Sequence, residues 1–103
     1  MWYAASLFFK GEHTPLTPTP KWEESIRLIE ANSEDDARVK AQEIGRAEEH
    51  SYRTQDGTVH WKFERIERLY AIDEPHLGNG TEVFSRFLRE SEALSLLTPF
   101  DDR

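Results

Sequence analysis

The stretch EEHSYRTQDGTVHWKF, residues 48–63, concentrates the side chains of this chain that could do chemistry. It holds carboxylates, imidazoles, a phenol and an indole, a mixture that can ligate a metal ion or transfer protons. Such groups form a site only if the helices and strands that carry them turn them toward one point. The secondary structure of residues 48–63 therefore determines whether these side chains can form a site.

The central feature of this stretch is the dipeptide Asp56-Gly57. An Asp-Gly pair between two β-rich segments is typical of a two-residue type I′ hairpin. With these two residues at the turn, Tyr52 lies directly opposite Trp61, which explains both aromatics as a stabilising cross-strand pair. The sequence thus gives this part of the stretch an architectural role.

The histidines argue against a metal centre. The same hairpin register places His50 and His60 on opposite faces, and His13 and His76 fall in separate loops. Neither an H-x-H strand motif nor an HExxH helix motif is present. We expect no metal site and no cofactor.

A polar site at the helix-to-hairpin junction is the chemical alternative. Glu48 is in line with the apolar stripe of the preceding helix, so it can point at the sheet, where it would need Arg65, Arg68 or Arg86 as a partner. The interpretation that we favour places Glu48 in an exposed last turn. The candidate polar site consists of Glu48, His50, Tyr52, Trp61 and Arg86. No nucleophile elbow, phosphate loop or Ser/His/Asp spacing marks a catalytic residue, which makes an enzyme the less favoured class.

Residues 32–50 carry the clearest helix signal. Ser33 occupies an N-cap position and is followed by three acidic residues, which favour the positive end of the helix dipole. Ala37 and Ala41 recur on one face, so the helix should lie close against a sheet. Gly45 either allows a closer approach or ends the helix.

The strand signals surround this helix. Residues 2–10 are apolar on both faces, which predicts an interior strand, and 22–31 alternate as a strand with one wet face. The proline-rich 11–21 predicts an exposed extended loop. The apolar positions change parity after Phe63, which predicts a β-bulge near Glu64-Arg65.

The C-terminal region predicts a short extended segment at 82–86 and a helix that ends near Leu97. Together these elements predict an α+β domain. Its antiparallel sheet has four to five strands in the order β-β-α-β-β, with one main helix on one face and a short C-terminal helix. We expect a single domain over 1–97 and a C-terminal tail at 98–103.

Composition excludes several classes of function. The 103 residues carry a net charge of −7, which disfavours non-specific nucleic-acid binding and would attract a basic surface. No segment approaches the ~20 apolar residues of a membrane span. The absence of cysteine removes thiol chemistry, and the lack of a basic leading region before the first apolar run predicts a cytoplasmic protein.

The segments WYAASLFF, EDDARVKAQEIGRAEEHSY, WKFERIERLYAID and GTEVFSRFL occur in this order between residues 2 and 88. This combination resembles the bacterial family known as domain of unknown function 4288. The resemblance implies a small standalone bacterial α+β domain. It implies no activity, cofactor or catalytic residue.

Three functions remain open. The favoured one is a non-catalytic module that binds a protein partner through its sheet or an acidic face; an antidote or immunity role against a basic toxin is one form of it. The second is a small-molecule or enzymatic site around Glu48, His50 and Tyr52. The third is self-association, such as a homodimer, through a sheet edge or an aromatic patch.

Overall fold

The computed structural model describes residues 1–16 and 19–98. Its elements, in chain order, are β1 (Trp2–Thr14), β2 (Lys21–Glu30), α1 (Glu34–Ala47), β3 (His50–Thr54), β4 (Gly57–Ile72) and α2 (Glu90–Leu97). The strands form one antiparallel sheet in the spatial order β2-β1-β4-β3. The predicted α+β class, with an antiparallel sheet and two helices, is confirmed; the described residues contain four strands.

Strand β1 lies inside the sheet, between β2 and β4. Its side chains alternate between two faces, as strand geometry requires. Tyr3, Leu7 and Phe9 are buried in the cluster that includes residues of α1, and we call this side of the sheet the helix face. Ala4 and Ser6 are fully buried on the opposite side, the far face. Apolar residues at both odd and even positions of this segment therefore predicted an interior strand correctly.

Helix α1 crosses the helix face. The Oγ of Ser33 accepts a hydrogen bond from the backbone N–H of Asp36 at 3.1 Å, so the predicted N-cap is confirmed. Ala37 and Ala41 are fully buried. Gly45 lies within the helix and does not end it; a Cβ there would lie 2.5 Å from the Phe63 ring. Small residues thus allow the helix to approach the sheet closely.

The connection between β1 and β2 begins later than the predicted proline loop at 11–21. Strand β1 continues to Thr14, because the first residues of β4 supply it with partners as far as Thr58. The described residues of the remaining connection include Pro15, Leu16 and Pro20. The prolines therefore mark the connection, whereas the length of β4 fixes where the strand ends.

The predicted type I′ turn centred on Asp56-Gly57 is wrong. Thr54 pairs with Gly57, so the two turn residues are Gln55 and Asp56, and no residue other than glycine has a positive φ among those described. The Oγ1 of Thr54 accepts from Asp56 N–H and donates to the Gly57 carbonyl, both at 3.2 Å. Gly57 has φ 141°, and a Cβ there would collide with the Thr14 carbonyl. The glycine is thus required next to the turn.

Compared with the predicted register, each residue of β3 therefore faces a residue of β4 that lies two positions earlier. Tyr52 lies opposite Val59, and His50 lies opposite Trp61, so the predicted direct Tyr52–Trp61 pair is wrong. A slip of two residues keeps every side chain on its face, because strand side chains alternate with a period of two. The prediction that His50 and His60 point to opposite faces is therefore confirmed.

Strand β4 contains two irregularities. Glu64 has no partner in β1, which confirms the predicted bulge near Glu64-Arg65. A second unpaired residue, Glu67, had no signal in the sequence. Because the second bulge reverses the first, Ile66 packs against the helix-face core while Tyr70 pairs with Ala4 on the far face. Residues 66 and 70 share a parity but not a face.

The C-terminal region packs on the far face. Residues 82–86 are neither strand nor helix, so the predicted extended segment does not join the sheet. The ring centroids of Tyr70 and Phe84 are 6.0 Å apart, and the Tyr70 hydroxyl donates to Glu82 at 2.5 Å. Helix α2 ends at Leu97 as predicted. Residues 99–103 of the predicted C-terminal tail lie outside the described residues.

Candidate functional site

Glu48 is the C-terminal cap of α1 and lies at the surface. Its Oε1 is 3.2 Å from an Nη1 of Arg27 on β2, and 48% of its side chain is exposed. This position agrees with the predicted exposed last turn, and the cation beside Glu48 is Arg27 instead of Arg65, Arg68 or Arg86. An exposed ion pair of this kind contributes little to stability.

Three further candidates lie near Glu48: His50 and Tyr52 follow it closely along the chain, and Trp61 lies opposite His50 on β4. The Nδ1 of His50 is 2.9 Å from the backbone oxygen of Glu48, and the His50 ring stacks on Tyr52 with centroids 6.0 Å apart. The Nε1 of Trp61 donates to the Tyr52 hydroxyl at 3.3 Å, so these residues meet diagonally across the hairpin. The structure thus brings His50, Tyr52 and Trp61 together beside the end of α1.

The space beside these aromatics is small. A cavity of about 170 Å³ is lined by Gly11, His13, Lys21, Tyr52, Thr54, Val59 and Trp61. Sites for drug-sized ligands typically occupy ~300–1,000 Å³. The backbone of Gly11 approaches the Trp61 ring closely, because a Cβ there would lie 3.0 Å from it. The junction is an aromatic surface that is built mainly for packing.

Arg86, the fifth candidate, lies on the far face and is not brought together with the other four. Its guanidinium is 3.6 Å from Glu24 and 3.7 Å from Glu67. The fully buried Ser6 donates its hydroxyl to Glu24 at 2.6 Å. This network neutralises Arg86 and fastens the C-terminal region to the sheet.

A groove of about 540 Å³ lies beside Arg86, between β4 and α2. Its lining mixes both charges with exposed apolar groups, among them Arg68, Glu92 and Phe87. Hydrogen bonds from the Arg89 side chain and backbone lower the pKa of the Glu92 carboxyl below its usual value. With its cations facing carboxylates, the groove has no net charge to select an anion or a cation.

Sequence reasoning missed one pair that resembles catalytic chemistry. The hairpin register places Ser51 opposite His60, with Oγ and Nδ1 2.8 Å apart, whereas the predicted register paired Ser51 with Lys62. A serine bonded to a histidine is the core of many hydrolase sites. Here Ser51 is exposed on the surface of the sheet. Neither Ser51 nor His60 lines the cavity beside Tyr52 or the groove beside Arg86. The correct register would have revealed the pair, but not a pocket for substrate.

Strand β2 carries three of the most exposed apolar residues of the sheet. Trp22, Ile26 and Leu28 are 51%, 47% and 46% exposed, respectively, and their pairing with even-numbered residues of β1 places them on the far face. Lys10 Nζ lies 5.6 Å from the Trp22 ring. The sequence showed their alternation, but alternation alone does not indicate which face a helix covers.

The outer edge of β2 is open. Among residues 1–16 and 19–98, only β1 pairs with β2, whose ten residues form one border of the sheet. On the helix side of this border, a groove of about 450 Å³ separates β2 from α1. Its lining is mainly Ile29, Lys40, Glu43, Ile44 and Ala47. An open backbone edge beside an apolar groove is the arrangement that accepts an added strand.

The described residues contain neither a metal-ligand cluster nor a membrane-spanning helix. Over 1–16 and 19–98, no group of three or more His, Asp or Glu side chains is arranged to hold a metal ion. In the same ranges, no helix has the length and apolar character needed to cross a membrane.

The molecule is thus an α+β domain with a long open edge at β2 and exposed apolar residues on that strand. Residues 2–85 match the family described as Domain of unknown function (DUF4288), and the chain belongs to that family. No curated protein and no solved structure matches the chain significantly.

Proposed function

We propose that this domain is a non-catalytic protein-interaction module that binds an extended strand of its partner along β2. The observation that carries the proposal is the open ten-residue edge of β2 together with the exposure of Trp22, Ile26 and Leu28. Exposed edges that are long and apolar tend to pair with other chains. A partner that covers this edge would remove apolar surface from water and satisfy backbone groups together.

Each side of the edge offers a distinct contact. On the helix face, the groove beside Ile44 and Ala47 can receive alternate side chains of an added strand. On the far face, Ile26 and Leu28 provide apolar contact. Backbone hydrogen bonds would supply affinity, and these two surfaces would supply selectivity.

The opposite border of the sheet is less suited to this role. Strand β3 has only five residues, all exposed, of which Ser51, Arg53 and Thr54 are polar or charged and Tyr52 is 46% exposed. Very short edge strands are a common means of preventing strand addition. The difference between the two borders supports β2 as the binding edge.

The small-molecule alternative has weaker support. Glu48 is half exposed and faces Arg27, and the cavity beside Tyr52 and Trp61 holds about 170 Å³. Buried, polarised groups are the usual sign of a catalytic pocket. The junction lacks that character, so we do not propose an activity for it.

Affinity capture from a native extract, with the purified chain as bait, tests the proposal. The double variant Ile26→Lys/Leu28→Lys places charges on the far face of β2. Val39→Lys, at a 56% exposed position on α1, is the matched control. We expect wild type and V39K to recover the same stoichiometric partner, whether another protein or a further copy of the chain, and the double variant to lose it. Equal recovery by the double variant, or no partner with any bait, would refute the proposal.

A further inference from the structure

We infer that the strand that occupies the open edge is β2 of a second copy of this chain, antiparallel and centred on Ser25. This inference rests on the proposed function, because it names the partner of the same edge. It is drawn from the sequence of β2, KWEESIRLIE, together with the faces that the sheet assigns to its residues.

Symmetry limits how two copies of β2 can pair. A twofold axis perpendicular to the sheet joins the two helix faces into one surface and the two far faces into another. Directly opposed residues must then share a face, so one residue lies opposite its own copy and the numbers of every pair have an even sum. Only a few such registers keep most of β2 paired.

Centring on Ser25 gives a self-complementary set of pairs. Glu23 lies opposite Arg27 of the second copy on the helix face, and the twofold axis repeats this pair of opposite charges. The Arg27 guanidinium also donates to Ser25 Oγ at 2.8 Å and to Glu48 at 3.2 Å within its own chain. Glu23 of the second copy would therefore share this guanidinium. Trp22 lies opposite Leu28 of the second copy on the far face. Opposite charges and apolar groups stabilise an antiparallel pair when they face each other.

The carboxylate of Glu24 does not disturb this arrangement. In the Ser25-centred register Glu24 lies opposite Ile26 of the second copy. The Glu24 carboxylate is already bound within its own chain, by the Ser6 hydroxyl at 2.6 Å and by Arg86 at 3.6 Å. The charge is therefore satisfied on the far face before a second copy arrives.

The neighbouring registers are less favourable. Centring on Glu24 places Lys21 against Arg27. Centring on Arg27 opposes two arginines. Like charges directly opposite one another destabilise a strand pair.

The registers centred on Glu23 and Ile26 are also less favourable than the Ser25 register. Centring on Glu23 opposes two glutamates. Centring on Ile26 avoids like charges, but it provides no pair of opposite charges and places Trp22 against Glu30. The Ser25 register is thus the one that combines ionic and apolar complementarity.

The assembly would extend the sheet across both copies. The order β2-β1-β4-β3 places β2 at one border, so pairing two of these borders gives a continuous eight-stranded sheet with β3 at each end. The apolar side chains of β2 would meet those of the second copy around the axis. The surface that is half exposed in one chain would become the centre of the dimer.

A single-cysteine cross-link tests the register. The chain has no cysteine, so Ser25→Cys introduces one thiol per copy. Residues directly opposite in an antiparallel pair have Cα atoms ~4.5–5.5 Å apart, which is within the range of a disulfide. We expect mild oxidation to convert S25C to a covalent dimer that reductant reverses, and S51C on β3 to stay largely monomeric. If S25C cross-links no faster than S51C, the register is wrong.

A charge-exchange pair tests the same contact without a covalent bond. Glu23→Arg alone opposes two pairs of arginines, and Arg27→Glu alone opposes two pairs of glutamates, so each variant should dimerise at least about tenfold more weakly. An equimolar mixture of the variants restores both opposite-charge pairs in a heterodimer. Sedimentation equilibrium should therefore show dimer in the mixture but not in either variant alone. The melting temperature of each variant serves as the folding control, since Arg27 also contacts Glu48.

The outcomes separate this inference from the proposed function. A wild-type chain that sediments as a monomer up to ~1 mM would overturn the homodimer, because weak specific affinities lie near that range. If the bait still recovers a different protein and loses it in I26K/L28K, the interaction function stands with another partner. If neither a dimer nor a partner is found, both proposals fail.

Discussion

Replacing Gly45 with alanine should destabilise the domain, although alanine is the better helix former. Gly45 lies inside α1, above the ring of Phe63 on β4. A Cβ at this position would lie 2.5–2.8 Å from three atoms of the ring. Ordinary carbon–carbon contacts are ~3.5–4.0 Å, so the ring or the helix must move by about 1 Å.

Two opposing terms determine the size of the effect. Alanine in place of glycine favours a helix by ~1 kcal/mol. Forcing an extra carbon into a packed core typically costs ~1–3 kcal/mol, and the Phe63 ring cannot retreat freely because it also packs against Phe9 at a centroid distance of 5.7 Å. The upper part of that range applies, and the free energy of unfolding should fall by about 1–2 kcal/mol. For a domain of this size each 1 kcal/mol lowers the Tm by roughly 4–8 °C.

Urea denaturation of four chains measures the clash directly. The wild type, G45A, Phe63→Leu and the double variant form a double-mutant cycle. F63L alone should destabilise, because it removes the contact with Phe9, but in the G45A background it should cost less or even stabilise. Val39→Ala on the exposed side of α1 is the control for helix propensity and should be neutral or slightly stabilising. A G45A variant that is as stable as wild type or more so would refute the close approach of α1.

Three further changes test other contacts. Ser33→Ala removes the N-cap bond to α1 and should lower the free energy of unfolding by ~1 kcal/mol in urea; no loss would contradict the capping role. Arg86→Met leaves Glu24 without its cation, so hydrogen exchange over residues 81–98 should accelerate, and unchanged exchange would show that another contact holds that segment. Hydrogen bonding to Glu82 raises the pKa of Tyr70, and the same bond lowers the pKa of Glu82. This contact is therefore complete between about pH 4.5 and 10, and weakens as pH falls through the lowered pKa of Glu82 or rises through the raised pKa of Tyr70. In a ¹³C NMR titration, Glu82→Gln should return the Tyr70 pKa toward its usual value; an unchanged Tyr70 pKa would contradict the contact.

The sequence was most informative where local rules act alone. Ser33 and the acidic residues after it reported the start of α1, because capping depends on a few adjacent residues. The small buried face of α1 followed from the spacing of Ala37 and Ala41. The two apolar parities of β1 correctly indicated a strand with neighbours on both sides.

The hairpin shows why local rules also failed. Asp56-Gly57 favours a type I′ turn by itself, but the Thr54 hydroxyl binds both Asp56 and Gly57, and the end of β1 leaves no room for a side chain at Gly57. The second of these constraints comes from a strand more than forty residues away in the sequence, since Thr14 pairs with Thr58. Turn propensity cannot include such a contact.

The prediction of the candidate site was limited for the same reason, because part of the site depends on contacts between residues that are distant in the sequence. Glu48, His50 and Tyr52 are near in sequence, so their neighbourhood was predictable, whereas Arg86 and its carboxylates come together only through the packing of the C-terminal segment. The role of β2 as the open border depends on strand order, which its own residues do not encode. The alternation of Ile26 and Leu28 was visible, but not the direction in which they point.

The central position of β1 has a consequence for synthesis of the chain. Trp2 pairs with Ile72 and Thr14 with Thr58, so β1 cannot acquire its second neighbour until between about forty and seventy further residues have been synthesised. Until then, β1 can pair only with β2, and the aromatic ring of Phe9 lacks its contact with Phe63. Because pairing across such a long separation in sequence is slow, we expect this domain to acquire its structure late and to depend on protection of its N-terminal third while it is being made.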